Sequence, residues 1–586
     1  MLNASRSRIK SGMTHKRYLL NILYIFQKFL YKKINIIIYN SVLICYLIIP
    51  WSQTELISAS YIRINQVGYF VNQPKWAIVG SEFNLDGQTY YLQDTQSHLI
   101  VDSATIGPSI KGKGPDTPFS FNHLIDFSTL QTEGFYQILL TDQSVSPEFR
   151  IGHDIYNGII DSLLFFLKVA RCGDTNPALH AACHLYDGTN IDLDLTGGWH
   201  DAGDYLKFTR QEAYTTYLLL LSYEISRKNT NFILRDRNGN GIDDILDEAK
   251  IGLDYLVKLF PDENTFILQV GDMKKDHSQG TRLPENDKLT KHNRPAKIGF
   301  ERDPLCKYAA AMALAYNIYK EREPESNLTK NYLRLAKIAY ERAKLAQNDH
   351  FDKLCLSAIE LYLASGEKKY LKDAKGFNVF LSRSLWGHYS DNTNFAHARL
   401  ASFFDSAEKK LKESIIRFHE DSENNLFGFN IPYIWGSLYV ALSSANAGWF
   451  YFFFTEDKTY NKLQRNIGNY LLGLNPWGVC FISGVGKVYP KNIHNGVARA
   501  LKNQGKRSYA TIYGAVAEGP FNRSKWEEKY SKFVPSDEDI YGQFHTSESV
   551  YHDHVNDYVT NEPCIYGVAE TILFFSLYQK YINLLH

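Results

Sequence analysis

From residue 61 to residue 151, apolar and polar positions alternate or gather into short apolar runs between turn residues. Tyr61-Ile62-Arg63-Ile64-Asn65, Lys75-Trp76-Ala77-Ile78-Val79, Thr89-Tyr90-Tyr91-Leu92 and Gly134-Phe135-Tyr136-Gln137-Ile138-Leu139-Leu140 carry the two-residue period of strands. Gly80, Asp86-Gly87 and residues 112–118 interrupt them. Short strands at this spacing predict a small β-sandwich. After His153 the period lengthens. Apolar residues recur at helical spacing over 155–169, 212–226, 245–260, 303–319, 328–345, 353–364, 434–450, 458–474 and 564–584. The alanine-rich run 309–315 favours helix strongly. Strands do not alternate with these helices, so a parallel sheet is excluded. The pattern predicts a mainly α fold, a barrel or toroid of antiparallel helices. Its long loops hold most of the Gly, Trp, Asp and His residues, and a site is expected there.

The first sixty residues read differently. Lys32 and Lys33 precede an apolar run over 34–49, then Pro50 and a polar stretch that ends in small residues around Ala59. That is the order of a secretory signal. The run contains Asn35, Asn40 and Ser41, which is thin for crossing ~30 Å of hydrocarbon, so export is expected, with membrane anchoring through 34–49 as the alternative. The predicted organisation is a targeting segment over 1–60, a β-sandwich over 61–152 and a helical domain over 153–586.

Composition narrows the function classes. The chain has 586 residues, 44% hydrophobic and 22% charged, enough to bury a large core. Lys+Arg is 64 and Asp+Glu is 63, a net charge of +1, which gives no bulk footprint for nucleic acid. Seven cysteines are too few for a dense disulfide scaffold. Aromatic residues make up 14%, so either the core or a surface for flat ligands is rich in rings.

Three stretches carry candidate chemistry. In Gly197-Gly198-Trp199-His200-Asp201-Ala202-Gly203-Asp204, two carboxylates three residues apart on a tight turn can address one water. In Asp557-Tyr558-Val559-Thr560-Asn561-Glu562-Pro563, Glu562 opens the last helix, where an acid also suits the helix dipole. A Gly/Pro loop runs through Asn475-Pro476-Trp477-Gly478 and Gly484-Val485-Gly486 to His494.

Together these stretches resemble glycoside hydrolase family 9, the inverting β-glucanases. The family's Asp-Ala-Gly-Asp element stands at 201–204, its Asp-Tyr-Val-x-Asn-Glu element at 557–562, and its Asn-Pro-x-Gly and Gly-x-Gly loops at 475–478 and 484–486. Arg63-Ile64-Asn65-Gln66-Val67-Gly68-Tyr69 is similar to the opening of the immunoglobulin-like domain found in one branch of the family. The resemblance implies an (α/α)6 barrel acting on β-1,4-linked glucan. It implies Glu562 as general acid, Asp204 as general base, Asp201 as water-positioning group, and His494, Trp199 and Tyr558 as sugar-binding residues. Inversion places an acid and a base on opposite faces of the sugar ring. Trp386, Trp435 and Trp477 are further candidates for stacking on sugars.

The chain also departs from the family pattern. The Arg of the family's His-x-Arg is missing after His494, which Asn495 and Gly496 follow. Val555 replaces the Arg of the acid loop, and Pro563-Cys564-Ile565-Tyr566-Gly567 follows the acid in place of an acidic-aromatic-Asn run. These positions leave open an exo-β-glucosaminidase acting on chitosan oligosaccharides, or a non-catalytic glycan-binding protein on the same scaffold.

Two metal sites are expected. Cys172, Cys183, His184 and His200 supply the four ligands of a closed zinc site, as in that branch of the family, with a Cys172–Cys183 disulfide as the alternative. Asp236, Asn238, Asn240, Ile242, Asp244 and Asp247 have calcium-loop spacing, with Gly241 at the sixth position. Cys306 and Cys355 lie on apolar helix faces and read as core residues.

Overall fold

A computed structural model describes residues 60–228, 234–277, 282–287, 294–347 and 350–581. The expected targeting segment lies outside them.

The N-terminal module packs two sheets around one apolar core. β1 (Tyr61–Arg63), β3 (Trp76–Ser81) and β6 (Phe121–Asp126) form the smaller sheet, in the order β1-β3-β6. The larger sheet has the order β2-β8-β7-β4-β5, from β2 (Gly68–Phe70), β8 (Phe149–Gly152), β7 (Gly134–Leu140), β4 (Thr89–Asp94) and β5 (Ile100–Thr105). Val79, Leu92, Ile138 and Ile151 are fully buried between the sheets. The alternation that predicts strands therefore also marks the inward face.

Among the described residues, twelve of the fifteen α-helices of the helical domain alternate between an outer and an inner ring, and α4 (Met273–His277), α13 (Gly496–Asn503) and α14 (Arg523–Lys529) lie outside that set. The inner helices are α2 (Thr209–Arg227), α5 (Arg302–Arg322), α7 (Phe351–Ser365), α9 (Thr393–Leu400), α11 (Ser437–Thr455) and α15 (Ile565–Tyr581). Each packs on the next, and α15 returns to α2, which closes the ring. The outer helices are α1 (Ile159–Ala170), α3 (Asp244–Leu259), α6 (Asn327–Leu345), α8 (Lys368–Asn378), α10 (Asp405–Glu423) and α12 (Asn461–Leu471). They carry one apolar stripe, because only one face meets the inner ring. Inner helices are buried nearly all round, as α2 and α5 show. The helices missing from the sequence reading are α8, α9 and α10. α9 has eight residues, too few for a periodicity to stand out.

The axis of the inner ring is polar. Arg399 pairs with Glu360 at 2.6 and 2.8 Å and with Glu224 at 3.0 Å, and Tyr217 donates to Glu360 at 2.8 Å. Glu570 collects Tyr214, Asn446 and His388 at 2.9, 2.9 and 3.2 Å. Nearly every one of these buried groups is paired, as a low-dielectric interior demands.

The sandwich is tied to the helical domain through its opening motif. Asn65 Nδ2 donates to Asn469 at 2.9 Å. Gln66 Nε2 donates to the Gly478 carbonyl at 2.8 Å, and Gln66 Oε1 accepts from the Lys487 and Val488 amides at 2.9 and 2.8 Å. Gly478 sits at φ +65°, and a β-carbon there would lie 2.3 Å from the buried Arg63 guanidinium. The Arg63–Tyr69 motif and the Asn475–Gly478 motif thus exist partly to bind each other.

Candidate active site

All inner helices run the same way, so the loops before their N-termini share one face. The Asp201–Asp204 turn precedes α2, and Glu562 precedes α15, which is α2's neighbour in the ring. Residues 359 apart in sequence meet there: the Gly203 amide, within the turn, donates to Glu562 Oε1 at 2.8 Å. A β-carbon on Gly203 would lie 2.6 Å from that oxygen and 2.5 Å from the His494 carbonyl, so the glycine is required by close approach.

The turn is held from behind. The Asp201 amide donates to the Leu206 carbonyl at 3.0 Å, and its carbonyl accepts from the Ile565 amide at 3.0 Å. Asp201 Oδ1 is buried and accepts no hydrogen bond from a protein group. Asp204 Oδ1 accepts from the Leu206 amide at 2.8 Å, and Asp204 Oδ2 pairs with His277 Nε2 at 2.8 Å.

The acid loop is equally fixed. The Asp557 carboxylate accepts from the Val559 and Thr560 amides at 2.8 and 2.9 Å and from the Thr560 hydroxyl at 2.6 Å. Asp553 accepts from the Lys491 and Asn492 amides at 2.8 and 2.7 Å. Asn561 donates to the Asn492 carbonyl at 2.8 Å and accepts from the Tyr551 hydroxyl at 3.0 Å. The other acids of this stretch are therefore scaffolding, and Glu562 is the one aimed at the turn.

Burial, and then the Asp204 charge, push the Glu562 carboxyl up to about 8, against the opposing pull of the Gly203 amide. Burial and the neighbouring Asp204 and Glu562 raise Asp201 well above the usual carboxylate range. His277 is raised by its bond to Asp204. Desolvation, and then Arg499, lowers the half-buried His494 to about 4, so it stays neutral. Its Nδ1 lies 2.7 Å from the Val555 carbonyl, which can only accept, so Nδ1 carries the proton and Nε2 is left as an acceptor.

The sugar-binding expectations divide. His494 and Tyr558 lie together beside the acid loop, ring centroids 5.9 Å apart, and Tyr558 meets Trp435 at 5.6 Å. Trp435 and Trp386 are exposed by 45% and 56%, so their faces are accessible. Trp199 and Trp477 are not. Trp199 is fully buried, with its indole N–H donating to Glu248 at 2.8 Å and its amide to Glu212 at 2.9 Å. It anchors the turn from the core side and cannot stack on a sugar.

Three residues escaped the sequence reading. Arg499, on α13 (Gly496–Asn503), donates to the Val555 carbonyl, which places its guanidinium 3.2 Å from His494 Nδ1. An arginine thus reaches this histidine from the next helical turn, although the family's position holds Gly496. Glu518 is buried, with Oε2 lacking a protein partner, and burial followed by Glu562 and Asp557 raises it well above the usual range. Tyr566 stacks on Tyr389 at 4.1 Å, and Tyr389 borders a cavity of about 620 Å³ lined also by Arg210, Asp303, His350 and Lys353. Only the tyrosine after the acid had a sequence signal, its place beside the Glu562 motif.

The predicted zinc set comes together. Cys172 Sγ lies 3.9 Å from Cys183 Sγ and 3.6 Å from His184 Nδ1. His200 Nε2 lies 3.8 Å from Cys183 Sγ and 3.2 Å from His184 Nδ1. Zinc bonds of ~2.3 Å to sulfur and ~2.0 Å to nitrogen give tetrahedral edges of about this length. The sulfurs are unbonded, so the disulfide alternative does not hold. His184 Nε2 meets Asp287 at 3.1 Å, the carboxylate that orients a ligating imidazole. In the acidic loop, Asn238 and Asn240 converge on Asp247 at 2.7 and 2.8 Å, and the Asn240 and Gly241 amides close on Asp236 at 2.9 and 2.8 Å. Asp244 accepts from the Arg237 amide at 3.3 Å. The loop is exposed, and Asp243, outside the ligand spacing, caps α3.

An alternating double ring of helices with a carboxylate cluster over its inner N-termini, joined to a β-sandwich, defines a polysaccharide-hydrolase type of architecture. Residues 156–575 match the glycosyl hydrolase family 9 model and residues 58–144 match the cellulase N-terminal ig-like domain. The chain belongs to glycosyl hydrolase family 9 and is a glycoside hydrolase. It is 22% identical to endoglucanase D of Acetivibrio thermocellus over 74% of this chain and 75% of the relative. It is 26% identical to a cellodextrinase of Butyrivibrio fibrisolvens, over 74% and 86%. A metagenome-derived family 9 endoglucanase superimposes with a TM-score of 0.74 at 22% identity, covering 89% of this chain and 99% of that one.

Proposed function

We propose that this protein hydrolyses β-1,4-glycosidic bonds of glucan chains with inversion of configuration. The observation that carries the reading is the place of Glu562: a half-buried carboxyl, pushed up to about 8 by desolvation and then by Asp204, that accepts from the backbone amide between Asp201 and Asp204. Glu562 gives its proton to the leaving glycosidic oxygen as the bond from that oxygen to the anomeric carbon breaks. Asp204 takes a proton from a water as its oxygen bonds to the same carbon. Asp201, with one buried oxygen unmatched by protein donors, holds that water. His277 Nε2, 2.8 Å from Asp204 Oδ2, holds that carboxyl group in place.

His494, Tyr558 and Trp435 make the sugar-binding wall, with the imidazole Nε2 accepting from a sugar hydroxyl. The relatives' names include endoglucanase and cellodextrinase, in keeping with a cello-type substrate. The Cys2His2 cluster binds structural zinc and residues 236–247 bind calcium. Zinc supplies no chemistry to the reaction; its ligand His200 adjoins Asp201 and fixes the turn. Residues 34–49 direct export.

The test is product analysis on cellulose, mixed-linkage glucan, cello-oligosaccharides and chitosan oligosaccharides, with the first-formed anomer read by NMR. Release of α-anomers from β-1,4-glucan is expected. Retained configuration, or turnover confined to chitosan oligosaccharides, would refute the proposal.

A further inference from the structure

The acid loop contains a second cluster of metal-type ligands, absent from the sequence reading. Asp539, His545 and His552 each offer one ligand atom, and these atoms lie within 4.8 Å of one another. Asp539 Oδ2 is 3.6 Å from His545 Nε2 and 3.5 Å from His552 Nε2. The Tyr551 carbonyl oxygen lies 3.0 Å from His545 Nε2. Bonds of ~2.1 Å in a tetrahedron set ligand atoms about 3.4 Å apart, so these spacings bracket a small divalent ion.

The surroundings are those of a built site. All three side chains are at least 88% buried, since their exposures are 12%, 9% and 4%. The other nitrogen of His552, Nδ1, meets Asp557 at 2.9 Å, which fixes the ring with Nε2 turned toward Asp539. Trp526 stacks on the same ring at 4.3 Å, so it cannot turn away. A surface ion pair would need neither the orienting carboxylate nor the second imidazole.

We propose that Asp539, His545 and His552, with the Tyr551 carbonyl, bind a divalent transition metal ion that clamps the loop carrying Glu562. Two imidazoles, a carboxylate and a carbonyl suit zinc. The mechanical route is short. The carboxylate that orients His552 also accepts the Val559 and Thr560 amides, and Glu562 follows two residues later. The metal would thus serve the acid loop as the Cys2His2 cluster serves the Asp201–Asp204 turn.

The test strips the full-length protein with chelator, reloads it with Zn2+ alone, and counts bound zinc per chain by mass spectrometry after gel filtration. Wild type is expected to hold one equivalent more than His545→Gln and one more than Asp539→Asn, whatever the Cys2His2 cluster holds. Circular dichroism confirms that the variants are folded, and the glutamine keeps a donor for the Tyr551 carbonyl should alanine there unfold the loop. With Co2+, the extra equivalent is expected to show no thiolate charge-transfer band. Equal counts in wild type and both variants, or a thiolate band on the extra equivalent, would overturn the proposal.

Discussion

The two loops that face each other across the site use the same functional group, a carboxyl, for opposite ends. Asp204 sits on a partly open turn, pairs with the exposed His277 and has its other oxygen on a backbone amide. Glu562 is half-buried, and its hydrogen bond is to the Gly203 amide of that turn. Desolvation disfavours the charged form, so Glu562 is kept as an acid. The difference lies in the tertiary surroundings, since the residues themselves are near-equivalent in chemistry.

The largest test removes each group. Glu562→Gln and Asp204→Asn are each expected to lower kcat on cello-oligosaccharides by about 10²- to 10⁴-fold. An aryl cellobioside with a good leaving group should restore much of the Glu562→Gln loss and none of the Asp204→Asn loss. Equal losses on both substrates would erase the distinction between the loops.

A second test uses pH. Glu562 must be protonated to act, so kcat/KM is expected to fall as pH rises through about 8. The same shift affects folding. With its folded value above its unfolded one, Glu562 binds more protons in the native state, and its contribution to stability declines between about pH 4.5 and 8. Glu562→Gln lacks that decline, so its melting temperature should gain on wild type as pH rises across that window. A constant difference would show that burial does not raise this carboxyl.

A third test reaches the scaffold. Asp287→Asn, which weakens the support of His184, is expected to reduce zinc affinity by about 10- to 100-fold. Unchanged zinc affinity would detach Asp287 from the site. The smallest effect is expected at the exposed calcium loop. Asp247→Asn should lower the melting temperature in calcium by a few degrees and leave kcat within about twofold, because Asp247 bonds to Asn238 and Asn240 of the exposed loop. A large loss of kcat there would tie the calcium loop to the site.

Much was legible in the chain because it depends on local pattern. Period-two stretches in 61–151 and helical stretches beyond 153 set the two modules, and the Asp-Ala-Gly-Asp and Asn-Glu elements set the candidate carboxylates. Zinc-type spacing around Cys172 and His200 needed only a count of ligand residues. What stayed hidden depends on contacts between distant segments. Trp199 looks like a sugar platform beside the catalytic turn, yet α2 and α3 enclose it and Glu248 takes its N–H. Arg499 reaches His494 only because α13 brings it round by one turn. His545 and His552 carry no recognisable spacing, and Asp539 joins them only through the folded loop.

The sequence by itself determined the order of modules, the helical character of the second and the identity of the residues able to move protons, since period and side-chain chemistry are local properties. Tertiary structure alone decided which acid keeps its proton, which tryptophans face solvent and which histidines meet. Those outcomes follow from burial, charge and distance among residues that the chain separates and the closed ring of helices brings together.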